Sequence, residues 1–491
     1  MDQDNLEIPV STLIVRFMER LGVRHVFGMP GAHILPVYDS LHDSTLRAVL
    51  AKHEQGAAFM AGGEARACGG VSACIATAGP GASNLVTGIA NAAAEGLPVL
   101  AVCGETSTAF FGKGGLQESS GEGGTLDQIA LFAGITRYRR RVERTSYLAN
   151  VLHQAAHHLL AEAPGPVLLS LPYDVQQEKV DAALLDDIAF TPTHVPAVPS
   201  AEDVRASAAL LRAARHPMLL VGHGVPPGAR ARLRHFSERL GIPVATSLKA
   251  KGAYDERSPL ALGCLGVTSD GRALRYLENT ADLVLALGAS LGERTSYVWN
   301  ARLLANKTFI QVDRQAERLE RAFPADLAVH ADTAAYLAAL DAVLDAGAAS
   351  VTTFPAAQAG AAPQTIFDQR FEHVRAFYAW LEKKFPQGIT FFDDNIVFAQ
   401  NFYRATPRDR YCPNTGISSL GHAVPAAIGA GFGGTRPLFA ALGDGGLQMC
   451  AMEIMTAVNY AIPLNVVLFN NATLGLIRKN QHHLYRDRFI A

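Results

Sequence analysis

Two short stretches near the end of the chain carry residue types that could hold a metal. Residues 443–450 read GDGGLQMC and residues 468–475 read LFNNATLG, so a lone aspartate between glycines is followed, 27 residues on, by an asparagine pair closing an apolar run. A strand ending in Gly443-Asp444-Gly445 puts a carboxylate at the carboxyl edge of a sheet, where Gly443, Gly445 and Gly446 let a phosphate or metal approach the backbone. A second strand ending in Asn470-Asn471 adds a neutral oxygen at a neighbouring edge. One carboxylate, one amide and one backbone carbonyl are hard oxygen donors suited to Mg2+, which also keeps phosphate oxygens in its shell. The predicted ligands are Asp444, Asn471 and the carbonyl of Thr473. Either stretch alone reads as an ordinary turn or helix cap. Together, each closing an apolar strand across a helix-length connection, they point to a site.

Such residues need sheets to carry them. Short apolar runs rich in β-branched residues alternate with helix-like segments almost throughout, the signature of parallel sheets covered by helices. The fold class is α/β. Buried-strand candidates are 25–30 (HVFGMP), 71–80 (VSACIATAGP), 98–105 (PVLAVCGE), 166–172 (PVLLSLP), 217–224 (PMLLVGHG), 281–290 (ADLVLALGAS), 438–446 (LFAALGDGG) and 463–471 (PLNVVLFNN). Several end in glycine, where ligands sit beyond the carboxyl ends of doubly wound strands. Residues 186–200 lose helical periodicity and gain proline, and residues 346–364 are rich in Ala, Gly and Pro without a charge. Both read as linkers. The cuts leave 1–185, 201–345 and 365–491 as three domains.

Composition narrows the function classes. At 491 residues the chain exceeds one hydrophobic core, and usual domain sizes suggest roughly three units. Its 43 basic and 45 acidic residues leave a net charge of −2, and the longest like-charge block is the short RYRRR at 137–141. Nucleic acid is not an expected partner. Six cysteines are scattered without a C-x-x-C pair, which reads as buried thiols in a reducing compartment. The N-terminus is acidic and no apolar run approaches the ~20 residues of a membrane span. A soluble, cytoplasmic protein with no membrane partner is expected.

Gly-Asp-Gly followed at this distance by Asn-Asn resembles the signature of thiamin-diphosphate enzymes. FGMPGAHILPVYDSL (27–41), KHEQGAAFMAGGEAR (52–66), TAGPGASNLVTGIANA (77–92), GIPVATSLKAKGAY (241–254) and GHAVPAAIGAGFG (421–433) are similar to its acetolactate synthase (acetohydroxyacid synthase) large-subunit group. The resemblance implies a pyrimidine-binding domain at 1–185, a Rossmann-like central domain at 201–345 and a diphosphate-binding domain at 365–491. The last is expected to be truncated at its C-terminal end, because the family continues through a further strand–helix–strand portion. Thiamin diphosphate and Mg2+ are the implied cofactors. A homodimer is the implied smallest active unit, with a homotetramer and a regulatory small subunit as further options.

In that family the C2 proton of the cofactor leaves through its own aminopyrimidine, and an enzyme carboxylic acid must bond the pyrimidine N1′. Glu54, in KHEQGAAF, matches the family glutamate. The uncharged Gly56, Ala57, Ala58, Phe59 and Met60 beside it predict burial that raises its pKa. Taken alone, a glutamate opening a helix reads as a cap. The match also places Gly79 among the cofactor contacts and Leu420 beneath the cofactor, where a bulky apolar residue forces its bent shape. Gln117, in GGLQES, matches a glutamine lining the family's active site. Gly31 matches the loop whose backbone N–H can stabilise an oxyanion.

The departures bear on substrate. At 31–33 the chain reads GAH instead of the GGA of acetolactate synthases, resembling benzaldehyde lyase and cyclohexanedione hydrolase, so His33 reads either as a proton-transfer group or as a histidine satisfied at a helix start. Asn480, in GLIRKNQ, stands where the family has a substrate-selecting tryptophan. In the central domain GVTSDG (266–271) and SLGER (290–294) replace the flavin-contacting motifs. FAD therefore rests only on Gly222, Gly224 and Gly288, a weak nucleotide signal. Three readings follow: decarboxylation of a 2-oxo acid, pyruvate by preference, with carboligation to a second carbonyl compound; an acyloin or diketone lyase or carboligase of benzaldehyde-lyase type; and a non-catalytic cofactor-binding homologue.

Overall fold

A computed structural model of the chain describes residues 7–191, 196–346, 367–434 and 437–490. The chain divides into two compact units, one within residues 1–194, 392–395 and 414–491, the other within 195–391 and 396–413. The proline-bearing stretch 196–200 has no helix or strand, whereas 192–195 and, in the second predicted linker, 347–364 lie outside the described residues.

The first unit opens with β1 (Glu7–Pro9), β2 (His25–Gly28), β3 (Arg47–Leu50), β4 (Ser72–Ala76), β5 (Val99–Glu105), β6 (Tyr138–Arg141), β7 (Val167–Pro172) and β8 (Lys179–Asp181). Six of them form a sheet of order β3-β2-β4-β5-β7-β6, parallel at every pairing, and β1 with β8 makes an antiparallel ribbon. β4, β5 and β7 are buried at every position, as strands covered on both faces must be. β6 is YRRR and lies at the edge, where charge discourages pairing with another chain. The short basic block in the sequence is therefore an edge strand. The Val10–Arg20 helix buries Val10, Leu13, Ile14, Phe17 and Met18, the spacing of one helical face.

The second unit forms β9 (Pro217–Val221), β10 (Val244–Thr246), β11 (Ala261–Cys264), β12 (Leu283–Leu287), β13 (Thr308–Asp313) and β14 (Leu327–His330). Their order is β11-β10-β9-β12-β13-β14, again all parallel. Alternation along each strand feeds two cores: Leu219, Val221, Leu285 and Ile310 belong to one, Met218, Leu220, Val284 and Phe309 to the other. The chain then forms β15 (Thr390–Asp393) and β16 (Arg410–Pro413).

The remaining strands, β17 (Leu438–Gly443) and β18 (Leu464–Phe469), lie in the first unit. They pair in parallel with Gly443 opposite Phe469. The residues that follow each strand therefore emerge at one edge of the sheet, which brings the two stretches of the opening together despite the chain between them. Nearby, the Ala423–Phe432 helix packs on the Glu54–Cys68 helix through small residues. A Cβ on Gly63 would overlap the Ala426 carbonyl, and one on Gly429 the Met60 carbonyl. Among the described residues no helix is long and apolar enough to cross a membrane, and none of the six cysteines forms a disulfide.

Candidate active site

The structure gathers the predicted residues into two groups. The first lies at the carboxyl ends of β2, β4 and β5. Gly31 follows β2 and packs on Thr77, so that a Cβ there would stand 2.6 Å from the Thr77 Cβ. Thr77, directly after β4, accepts the backbone N–H of His33 at 3.3 Å and donates its hydroxyl to Gln117 Oε1 at 3.3 Å. His33 Nδ1 lies 3.2 Å from the same Gln117 oxygen. With the amide so oriented, Nδ1 carries the proton and Nε2 is left as an acceptor. Gly79 takes φ +60 and donates its N–H to Ser119 Oγ at 2.8 Å. A Cβ at Gly79 would sit 3.2 Å from that of Gln117.

Gln117 itself takes φ +56, a conformation costly for a residue with a side chain and held only where its surroundings over-determine it. Two residues on, the same loop is bonded to Glu105, at the end of β5. It is wholly buried, and one carboxyl oxygen accepts the N–H groups of Ser119 and Thr106, each at 2.9 Å. Burial pushes its pKa up, and the two backbone donors and Arg141 pull it back.

Glu54 opens its helix behind a cap supplied by His53, whose Nδ1 accepts Gln55 N–H at 3.1 Å. Glu54 is half-buried, not enclosed as the sequence suggests. The helix buries the residues behind it, from Gly56 to Ala65. Asn84 Nδ2 donates to Glu54 Oε2 at 3.0 Å. A Cβ on Gly81 would lie 2.9 Å from Thr77 Cγ2 and 3.5 Å from Glu54 Oε1, which puts Glu54 beside the Thr77 cluster.

The second group lies where β17 and β18 end. Asp444 follows Gly443 at the start of a short helix, and Asn471 and Thr473 occupy the turn after β18. The end of the Asn471 amide lies 3.2 Å from Asp444 Oδ1 and 2.6 Å from the Thr473 carbonyl, and with its nitrogen on that side it donates to both. A carboxylate, an amide and a backbone carbonyl thus stand side by side, the donor types that suit a small divalent cation. Gly445 ties the two turns together, because a Cβ there would stand 2.5 Å from Leu474 Cδ2. Leu420 is half-buried and precedes Gly421, whose φ is +86.

Sequence reasoning missed three contributors. Asp394 is buried and accepts Gly421 N–H at 2.6 Å and Asn414 Nδ2 at 2.8 Å. Its carboxyl is pushed up to about 6 by burial, against the pull of those bonds. A Cβ on Gly446 would come within 2.7 Å of its Oδ2, so Asp394 supports both Gly446 and the turn after Leu420. The run FFDDN at 391–395, an apolar strand closed by carboxylates, carries the same signal as GDG and could have flagged it. Thr77 and Asn84 carry no such signal, being ordinary polar residues until the fold puts them beside Gln117 and Glu54.

The glycines considered for FAD are used differently. Gly222 N–H donates to the Leu287 carbonyl at 2.8 Å and Gly224 N–H to the Gly288 carbonyl at 3.0 Å. A Cβ on Gly222 would overlap Gly288, and one on Gly288 would lie 2.6 Å from Gly224 Cα. They make close backbone approach to one another, and no role is derived through FAD.

Comparison with known proteins agrees with this geometry. Residues 8–130 match the thiamine pyrophosphate enzyme N-terminal TPP binding domain, residues 204–340 its central domain and residues 394–491 its C-terminal TPP binding domain. The chain is 30% identical to a probable acetolactate synthase large subunit of Methanocaldococcus jannaschii over 97% of this chain and 82% of that one. It is 31% identical to the acetolactate synthase isozyme 1 large subunit of Escherichia coli over 98% of this chain and 85% of that one. An acetolactate synthase of Mycobacterium bovis is 31% identical over 97% and 78%.

Proposed function

The chain belongs to the thiamine pyrophosphate enzymes, and from that membership we propose that it decarboxylates a 2-oxo acid, pyruvate first among them, and joins the acyl unit to a second carbonyl compound, with acetolactate the simplest product. Thiamin diphosphate supplies, when bound, the carbon nucleophile and the electron sink. The observation that carries the reading is the side-by-side placement of the Asp444 carboxylate, the Asn471 amide and the Thr473 carbonyl at one sheet edge. These three would hold Mg2+ and, through it, the diphosphate, while Gly443, Gly445 and Gly446 keep side chains out of its way.

Glu54 would hold a proton at the pyrimidine N1′, with Asn84 fixing the direction of its carboxylate. His33 Nε2 would take or return a proton at the substrate oxygen, because its Nδ1 is engaged with Gln117. Gln117 and the Gly31 N–H would orient the substrate carbonyl, Gly79 would line the cofactor's path, and Leu420 would support its bent shape. The named relatives favour neither the acyloin-cleaving reading nor the non-catalytic one.

Assembly belongs to the same proposal. Met449, Met452, Met455 and Val458 recur every three residues and are 52–64% exposed, an apolar stripe that suits a second copy of the chain in a homodimer or homotetramer. The relatives named as large subunits support a smaller regulatory partner. Cysteines outside any disulfide suit a cytoplasmic location. Three domains at 1–185, 201–345 and 365–491 are part of the reading. Incubation with pyruvate, with and without thiamin diphosphate and Mg2+, tests it. Cofactor-dependent CO2 and acetolactate are expected, and the absence of turnover on any 2-oxo acid would overturn it.

A further inference from the structure

Glu453 lies nine residues after Asp444 (453 − 444) and is 3% exposed. Its carboxylate serves neither of the two groups above. Glu453 Oε1 instead accepts the backbone N–H groups of Lys52 and His53, each at 3.0 Å, and Oε2 accepts the Thr456 hydroxyl at 2.8 Å and lies 3.3 Å from Lys52 N. Seven residues further on, Tyr460 Oη accepts the N–H of Leu50 at 2.7 Å. Ala51 N–H bonds the Gly28 carbonyl at 3.0 Å. Every backbone donor from Leu50 to His53 therefore has a fixed partner, and three of the four partners' bonds come from the segment that follows Asp444.

We infer that Glu453 is a positioning residue for Glu54, holding the backbone of Lys52 and His53 so that the glutamate next in the chain keeps a single place from which to meet the cofactor. The inference rests on the reading of Glu54 given above. Three observations favour it over a purely structural role. The helix that Glu54 opens already has its cap in the His53 side chain, so the Glu453 bonds go to the backbone of the cap residue and of the one before it and fix where the helix starts. Room for the carboxylate is kept by a glycine, since a Cβ on Gly56 would overlap Glu453. Finally, the Glu54 side chain is tied at its far end by Asn84, so a fixed backbone and a fixed carboxylate together define one position. Burial pushes the Glu453 carboxyl up, and the bonds from Thr456, Lys52 and His53 pull it back.

The test compares Glu453→Ala, Glu453→Gln and Glu54→Gln in the full chain with Mg2+ and saturating thiamin diphosphate. Three quantities are read: deuterium exchange at the cofactor C2, calorimetric affinity for the cofactor, and amide exchange in a peptide spanning 50–56. In Glu453→Ala the amides should lose protection and C2 exchange should slow by about 10- to 100-fold, with affinity nearly unchanged. Glu453→Gln keeps an oxygen for both N–H groups and should restore amide protection and most of the C2 exchange. If Glu453→Ala does not fold, Glu453→Asp, whose shorter side chain withdraws the acceptor, should show the slowed exchange. Parent-like C2 exchange in the folded Ala or Asp variant, while Glu54→Gln abolishes it, would overturn the inference. Parent-like exchange in Glu54→Gln would instead remove the reading on which it rests.

Discussion

The two large parallel sheets are built by the same rules and put their glycine-ended strands to different uses. In the second unit, the turns after β9 and β12 bring Gly222, Gly224 and Gly288 into backbone contact so close that a Cβ on any of them would clash. In the first, the turns after β2 and β4 place His33 and Thr77 around Gln117, and the turns after β17 and β18 set the Asp444 carboxylate, the Asn471 amide and the Thr473 carbonyl side by side. A glycine at the carboxyl end of a strand marks close approach and nothing more. Polar side chains that converge there distinguish a site from a packed corner.

The largest expected effect that would break this contrast is on Glu54. Glu54→Gln should leave the fold and cofactor affinity close to the parent, because the Asp444 edge is untouched. Turnover and C2 exchange should fall by about 10²- to 10⁴-fold, the range of a positioned proton transfer. Kinetics at saturating cofactor and NMR of quenched samples decide it, and a parent-like rate would remove Glu54 from the chemistry.

Gly222→Ala acts on the other side of the comparison. Its Cβ would overlap the Gly288 carbonyl, a backbone clash expected to cost roughly 2–4 kcal/mol in urea unfolding. The cofactor affinity of the folded protein should not change. A large loss of affinity without loss of stability would mean that the second unit's glycine turns serve the ligand after all.

A smaller effect sharpens the account of the first unit. His422 is buried edge-to-face on Phe59, with ring centroids 5.2 Å apart, and burial pushes its pKa down to about 3 from 6.5. Between those values the unfolded chain takes up a proton that the folded chain refuses, so stability present above pH 6.5 is lost as pH falls toward 3. At pH 5 the loss from this group alone is about 2 kcal/mol. His422→Leu should flatten the acid limb of the stability profile. An unchanged slope between pH 7 and 5 would mean that His422 is not excluded from water.

Much of the fold is legible in the sequence. Each of the eight apolar runs contains one strand, from β2 in 25–30 to β18 in 463–471; strands buried on both faces must be continuously apolar, but β18, expected to be buried, has no buried residue. Most strands that escape are edge or short ones: YRRR at β6 hides its role behind charge, and β3 has one buried residue among four; β13, six residues long and interior to its sheet, escapes because Gln311 interrupts its apolar run. Asp444 and Asn471 can be paired from sequence because adjacent parallel strands end at one edge. The contacts of Gln117 cannot, since a loop that takes a positive φ and is bonded two residues on to a buried Glu105 follows no periodic pattern. Asn84 and Glu453 are invisible for the same reason, each acquiring meaning only from the backbone it meets.

The central claim is that the edge formed by Asp444, Asn471 and Thr473 anchors the cofactor through a divalent cation. Calorimetric titration of thiamin diphosphate into the parent and into Asp444→Ala, each with Mg2+ and with EDTA, tests it most directly. Binding that requires Mg2+ in the parent and weakens by at least about 100-fold in the folded variant is the expected result. Tight binding in EDTA, or equal affinity in Asp444→Ala, would contradict it.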